Sequence, residues 1–244
     1  MKLALVLFTA LSLLACKGDP GPTTVLSGDI TGKVYVFDPS QRLVNDRSGV
    51  QVSLDQGSLK TATVYDGSWK LSGVPAGIHT LLFVKTGYFT VKQFNLQFVG
   101  GGTFYSGDIG LQTIPGVTVA HLYSTQPDSN DVVYFSGTLN APDSIFHWVS
   151  VIIDTLPISS SPTISYLFYL EGCVAPDSTN FSFGNKFDDY LRSDYHLKHN
   201  TTVYARAYAL PVAGFSDNYN PSTGKAEIYD SEVSLSNMVT FIIH

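Results

Sequence analysis

The reactive side chains of this 244-residue chain are six histidines, two cysteines and 20 acidic residues. Few of them stand in a pattern that chemistry needs. Asp188, Asp189, Asp194 and His196 form a small acidic cluster whose carboxylate oxygens could bind a calcium ion. No EF-hand spacing or DxDxDG run accompanies them, so they read as solvated loop charge. His196 and His199 are metal-ligand types, but no His/Cys/Glu set has zinc spacing, and no metal site is expected. His79, His121 and His147 fall in strand patterns, where half-buried packing is expected. GxSxG, HExxH, a P-loop and GxGxxG after a strand are all absent from the sequence. Paired carboxylates for glycoside hydrolysis need a cleft, and nothing local marks one. No catalytic residue and no cofactor-binding residue is therefore assigned, and a non-enzymatic protein is expected.

Aromatic side chains are the other candidates, because exposed rings can stack on sugars. Trp69 alternates with Leu71, which predicts a core ring. Trp148 alternates with Phe146 and Ser150, while His147, Val149 and Val151 lie opposite. Both faces of that strand are thus apolar, and burial is again predicted. Tyr88, Tyr105, Tyr219 and Tyr229 lie near turns and are better placed for a binding surface. Cys173 reads as a small buried residue rather than a reactive thiol, since no base is identifiable nearby. Cys16 is different, because it directly follows an apolar run.

That run, Leu3 to Leu14 after Met1-Lys2, has the layout of an export signal. It is too short to span a bilayer, which takes roughly 20 residues as a helix. Leu13-Leu14-Ala15-Cys16 resembles the lipobox of bacterial lipoproteins. The resemblance implies a signal peptide at 1–15, cleavage before Cys16, diacylglycerol on its sulfur and acylation of the new N-terminus. Two or more acyl chains hold a protein on a membrane well, whereas one holds weakly. Lys17 stands where aspartate favours inner-membrane retention, so the resemblance points to the outer membrane, and Asp19 hints at surface export. Cys173 has no intrachain disulfide partner if Cys16 carries lipid. Residues 16–27, with Gly18, Pro20, Gly21 and Pro22, read as a flexible tether.

The formal charge is −6, without a basic run, which argues against nucleic acid as a partner. From Gly28 onward, short alternating segments are separated by turns, at Ile30–Phe37, Val50–Leu54, Lys60–Tyr65, Ser68–Ser72, Ile78–Lys85, Phe89–Phe98 and Thr103–Leu111. Asp66-Gly67 is a hairpin signal, Val74-Pro75-Ala76-Gly77 a turn, and Gly100-Gly101-Gly102 reads as a hairpin loop. Seven strands in under 90 residues without a helical period suggest a β-sandwich. Gly32-Lys33-Val34, then Tyr65-Asp66-Gly67-Ser68-Trp69-Lys70-Leu71, Val74-Pro75-Ala76-Gly77, Leu81 and Gly87-Tyr88 resemble the carboxypeptidase regulatory-like domain. The resemblance covers nearly all of residues 28–113 and implies a prealbumin-like seven-strand sandwich without catalysis. It departs at Tyr65, where the family has threonine, at a missing hairpin residue, and at His79, where the family prefers an aromatic.

After Pro115-Gly116, strands are predicted at Val117–Ser124, Val132–Leu139, Phe146–Asp154 and Ile164–Leu170, followed by a mixed stretch from Glu171 to His196. Leu197, Asn200-Thr201 and Tyr204-Ala205-Arg206-Ala207-Tyr208 resemble the late strand of fibronectin type III-like domains in bacterial surface proteins, with Val203 where the corner tyrosine of that family lies. Glu232–Ile243 is predicted as the last strand, and the loops, above all Leu210–Asp230, are longer than usual. The resemblance implies a second, Ig/fibronectin III-like sandwich over 114–244. Asp143-Ser144-Ile145, Asp154-Thr155-Leu156 and Asp177-Ser178-Thr179 each resemble an O-glycosylation acceptor of Gram-negative lipoproteins. The expectation is an all-β, lipid-anchored cell-envelope protein, outer-membrane and surface-exposed. It would bind a glycan or protein ligand through loops at the distal end of the second sandwich. A fimbria-like structural subunit and an enzyme with an unrecognised site are the alternatives.

Overall fold

The computed structural model describes residues 26–55, 57, 59–142, 144–159, 163–187, 189–211, 218–229 and 233–243. The expected signal, Cys16 and the tether up to residue 25 lie outside the described residues. Among the described residues, no helix is long and apolar enough to cross a membrane.

The chain is almost entirely β, arranged as sandwiches, as its period-2 patterning predicts. The first sandwich contains β1 (Ser27–Phe37), β2 (Gln51–Leu54), β3 (Leu59–Ala62), β4 (Ser68–Pro75), β5 (Gly77–Val84), β6 (Val91–Phe98) and β7 (Thr103–Gln112). Its sheets run β4-β1-β7 and β3-β2-β5-β6. β1 pairs antiparallel with β4 and parallel with β7. Alternation drives the packing. Ile30, Val34 and Val36 of β1 meet Val52, Leu54, Leu81 and Phe83 of the facing sheet in one core. Gly32 is required by its neighbour, because a Cβ there would stand 2.7 Å from Cζ2 of Trp69.

Two turn signals have a different consequence from the one expected. Asp66-Gly67 does form a tight turn, with Gly67 at φ 84° and its N–H donating to the Val64 carbonyl at 2.8 Å. Yet β3 and β4 belong to different sheets, so the turn is a corner between layers. Gly100–Gly102 is likewise no hairpin loop. All three glycines have positive φ, and they carry the chain from β6 in one sheet to β7 in the other. Local sequence signals the reversal, but not the strand that accepts the hydrogen bonds.

The second sandwich contains β8 (Val119–Ser124), β9 (Val132–Leu139), β10 (His147–Asp154), β12 (Phe168–Val174), β13 (Asn180–Lys186), β14 (Thr201–Leu210) and β17 (Val239–Ile243). β13-β9-β8 faces β12-β10-β14-β17 across a core built from Phe135, Phe181, Phe187, Phe241, Val151 and Val203. Phe241 lies edge-on to Phe135 and Phe187, with centroids 5.7 and 5.2 Å away. Edge-to-face contact is a preferred geometry for rings. A single short helix, α1 (Asp189–Asp194), interrupts the described strands.

Three short strands remain: β11 (Thr163–Tyr166), β15 (Asn218–Asn220) and β16 (Lys225–Tyr229), in the order β11-β16-β15. The expected strand Ile164–Leu170 thus divides at Leu167, and half of it joins this added sheet. The expected strand Glu232–Ile243 shortens to β17. Ahead of β17, Ser236 and Asn237 serve the sheets by other means. The Ser236 hydroxyl accepts the Ala207 N–H at 2.9 Å, and the Asn237 amide bonds both the N–H and the carbonyl of Leu122 at 2.8 and 2.9 Å.

The added sheet covers the outer face of β10 and β14. Ile164, Tyr166, Ala226 and Ile228 pack there on Ile152, Tyr208 and Leu210, and Phe89 of the first half joins them. The result is a third core shared by the two halves. It also explains the apolar pattern on both faces around Trp148. Val149 and Val151 point into the sandwich, while Trp148 packs on the third core.

Candidate functional site

A cleft of about 410 Å³ lies where the added sheet meets the first sandwich, lined by Asp55, Thr80, Leu82, Lys92, Phe94, Thr163 and Tyr229. Strand periodicity places its groups. Leu82 and Lys92 are direct cross-strand partners on β5 and β6, and Phe94 follows Lys92 two residues later on the same face. Glu227 and Tyr229 have the same spacing on β16, whose other face, Ala226 and Ile228, is buried in the third core.

Hydrogen bonds hold the two walls together. The Asn218 side chain accepts the Lys92 N–H at 2.7 Å and donates to the Thr90 carbonyl at 3.0 Å, which satisfies part of the open edge of β6 as another strand would. Lys92 Nζ sits 2.9 Å from Glu227 Oε2 and 4.7 Å from the Tyr229 ring centroid. Burial alone would lower the lysine's pKa. The Glu227 hydrogen bond and the nearby Tyr229 outweigh it and hold the ammonium above its ordinary value. Glu227 Oε1 also accepts from the Asn220 amide at 2.7 Å.

At the opposite wall, the Asp55 carboxylate accepts the Thr80 N–H at 2.8 Å and lies 2.5 Å from His79 Nδ1. His79 Nε2 is 2.8 Å from the Pro75 carbonyl. Both ring nitrogens face acceptors, so the geometry favours the doubly protonated imidazolium. Burial works against that charge, but the Asp55 bond and the Pro75 carbonyl prevail and raise the pKa above 6.5. Where half-buried packing was expected, His79 is buried and holds Asp55, a residue of the cleft wall.

The cleft therefore offers a fixed ammonium, a fixed carboxylate, two threonine hydroxyls and two rings. Its formal charges are matched within its walls. Asp55 and Glu227 are each engaged by donors, which suits recognition better than proton transfer.

The remaining sequence-nominated residues divide. Trp69 is a core ring, 4% exposed and edge-on to Phe83 at 5.7 Å. Trp148 is half-buried and lines a separate hollow with Phe146, Pro39, Pro176 and Pro211. Pro39–Gln41 of the first half share this hollow, where the Gln41 amide donates to the Pro211 carbonyl at 3.5 Å. Tyr219 is exposed beside Tyr169 and Tyr195. Tyr88 packs on the first core. Tyr105 is exposed and its hydroxyl donates to Asp108. Tyr229 alone of the four tyrosines reaches the cleft.

His147 is buried, but His121 is exposed, contrary to the half-buried expectation, because it lies on the outer side of edge strand β8. Cys173 is also exposed rather than buried. It lies on edge strand β12, between buried Gly172 and Val174, and faces solvent. Asp188 and the side chain of Asp189 lie outside the described residues, and Asp194, His196 and His199 are exposed. Among the described residues, no group of three or more His, Cys, Asp or Glu is placed to hold a metal ion. Of the three glycosylation-like triplets, Asp143 lies outside the described residues. The Asp154 carboxylate is buried against Lys225, and Asp177-Ser178-Thr179 forms the turn before β13.

Sequence reading missed Asp55, Thr80, Lys92, Phe94, Thr163 and Glu227. The available signal was the charge-x-aromatic alternation of Lys92-x-Phe94 and Glu227-x-Tyr229, on strands too polar to be read as fully buried.

No family model matches the chain, and no curated protein does. Among solved structures it is similar to a cohesin–X-dockerin complex chain from Acetivibrio cellulolyticus, with 15% identity, TM-score 0.31, and coverage of 36% of this chain and 58% of that one. The chain thus spans under two thirds of that protein's length. A Bacteroides uniformis protein, provisionally described as carbohydrate binding, is 13% identical over 89% of this chain and 100% of its own, with TM-score 0.29. A DUF3823 family protein from Bacteroides ovatus is 17% identical over 89% and 99%, with TM-score 0.31.

Proposed function

We propose that this chain is a non-enzymatic, lipid-anchored cell-envelope module that binds a glycan in the cleft between its halves. Sugars present apolar C–H faces alongside hydroxyls that both donate and accept. The observation that carries the reading is the conjunction of Tyr229 and Phe94 with Lys92, Asp55, Thr80 and Thr163 in one 410 Å³ cleft. Rings meet the C–H faces, and charge-assisted hydrogen bonds to fixed groups meet the hydroxyls. The carboxylates are bonded to donors, which supports binding over hydrolysis.

Lipid on Cys16 would hold the module at the outer membrane, facing outward, with a carboxypeptidase regulatory-like unit at 28–113 and a fibronectin III-like unit at 114–244. The lipobox-like residues and the strand orders of the two sandwiches support that part.

The test is a glycan array probed with the soluble protein and with Tyr229→Ala. Retention of specific glycans by the wild type, weakened at least tenfold in the variant, is the expected result. An empty array for correctly folded wild type would sink the proposal. Protease shaving of intact cells, with Cys16→Ala as the control that loses the membrane, tests the address separately.

A further inference from the structure

We infer that the cleft is one end of a continuous groove that takes a linear, uncharged oligosaccharide lengthwise along β11, a deepening that rests on the glycan reading above. Thr163 is a wall of two hollows. One is the 410 Å³ cleft, and the other, of about 240 Å³, includes Asp154, Leu156, Ser159, Ser165 and Lys225. The hollows therefore meet at one side chain.

The register supports a straight path. Thr163 pairs with Tyr229 and Ser165 with Glu227. Lys225, Glu227 and Tyr229 share the face of β16 that is not in the third core. Two residues along a strand advance about 7 Å, so Thr163 and Ser165 stand at successive places along the groove.

Each hollow carries an ammonium pinned by its own carboxylate. Lys92 is held by Glu227 at 2.9 Å, and Lys225 by Asp154 at 2.5 Å, with Asp154 only 3% exposed. The Lys92 ammonium bonds both Glu227 and Tyr229, and the Lys225 ammonium bonds Asp154. The net charge of each lysine–carboxylate pair is zero. A neutral polyhydroxylated chain fits such a surface, and a polyanion gains little from it. Leu156, 64% exposed, adds apolar surface at the far end.

The experiment is isothermal titration of the soluble protein with cello-, malto- and xylo-oligosaccharide ladders, from mono- to hexasaccharide. Wild type, Tyr229→Ala and Ser165→Leu are compared. Ser165 is exposed and stands opposite Glu227, so a neutral leucine narrows the second hollow without entering a core or competing with Lys92 for the carboxylate. In the series that binds, affinity should climb about tenfold or more between disaccharide and tetrasaccharide. Ser165→Leu should remove that gain while leaving disaccharide affinity within about twofold, and Tyr229→Ala should weaken every length. If a disaccharide binds in a Tyr229-dependent way but longer chains gain nothing, the groove falls and the cleft stands. A length-dependent gain that survives Ser165→Leu also overturns the groove. If no series binds, both readings fall together.

Discussion

The two sandwiches have the same layering but treat their outer faces differently. In the first, β5 alternates cleanly: Leu81 and Phe83 are fully buried, while Leu82 and Val84 are half-exposed. In the second, β10 is buried on both sides. Val149, Val151 and Ile153 point inward, and Ser150 and Ile152 on the other face are also at 0% exposure. The difference is the segment between β14 and β17. It returns as the β15–β16 hairpin, pairs with β11, and covers the outer face of the sheet. Burial alternation is therefore a property of what lands on a strand as much as of the strand itself. The added layer also creates the joint, since Phe89 reaches the third core and Lys92 reaches Glu227. A cleft exists in this protein because one sandwich is covered and its cover abuts the other.

The largest expected effect tests that asymmetry directly. Ile152→Ala, in the third core, should cost about 2–4 kcal/mol in denaturant unfolding. Leu82→Ala, on the half-exposed outer face of β5, should cost about 1 kcal/mol or less. Equal costs would mean that the added sheet is loosely laid on rather than packed.

Breaking the joint comes next. Glu227→Ala leaves Lys92 half-buried without its carboxylate. A fully buried pair broken this way loses about 3–5 kcal/mol. Here the side chains retain 15% and 12% exposure, and about 2 kcal/mol is expected after solvent screening. Lys92→Met in the same background should restore much of it, and a double-mutant cycle measures the coupling. An additive cycle would show that the pair contributes nothing to holding the halves together.

The smallest effect concerns the wall rather than the joint. Folding raises the His79 pKa above its ordinary 6.5, so the folded state binds the proton more tightly than the unfolded chain. The resulting stabilisation is complete below pH 6.5 and is lost as pH rises through the raised value. It should amount to about 1 kcal/mol. Denaturant midpoints across that window should fall in wild type and stay flat, relative to it, in His79→Phe. A wild-type midpoint that rises through this range would contradict the double-acceptor geometry at the ring.

Much of the architecture was legible because strand period is local. Ile30–Phe37 reads as a strand, and Trp69 reads as a core ring. The apolar residues on both sides of β10 announced a doubly buried strand before any cover was visible. The candidate site was much less legible. Tyr229 stood out by its place near a turn, but Asp55, Lys92 and Thr163 lie scattered over more than a hundred positions, and no spacing rule connects them. His121 and Cys173 went the other way. His121 sits in a strand pattern and Cys173 in the mixed stretch after Leu170, yet each falls on an open side of an edge strand, and whether an edge strand's outer face is covered is not written in its own residues.

Composition and alternation, by themselves, determined an all-β chain, a layered sandwich in its first half, and the burial of Trp69 and of both faces of β10, because each depends on neighbours two residues away; the second sandwich was expected only from the resemblance at Leu197–Tyr208. Only the tertiary structure decided that the segment after β14 folds back as a sheet, that Gly100–Gly102 crosses between layers, and that Lys92 meets Glu227. Those outcomes depend on which outer face a distant segment covers, and that choice is made by the area buried and the charges matched across the whole molecule.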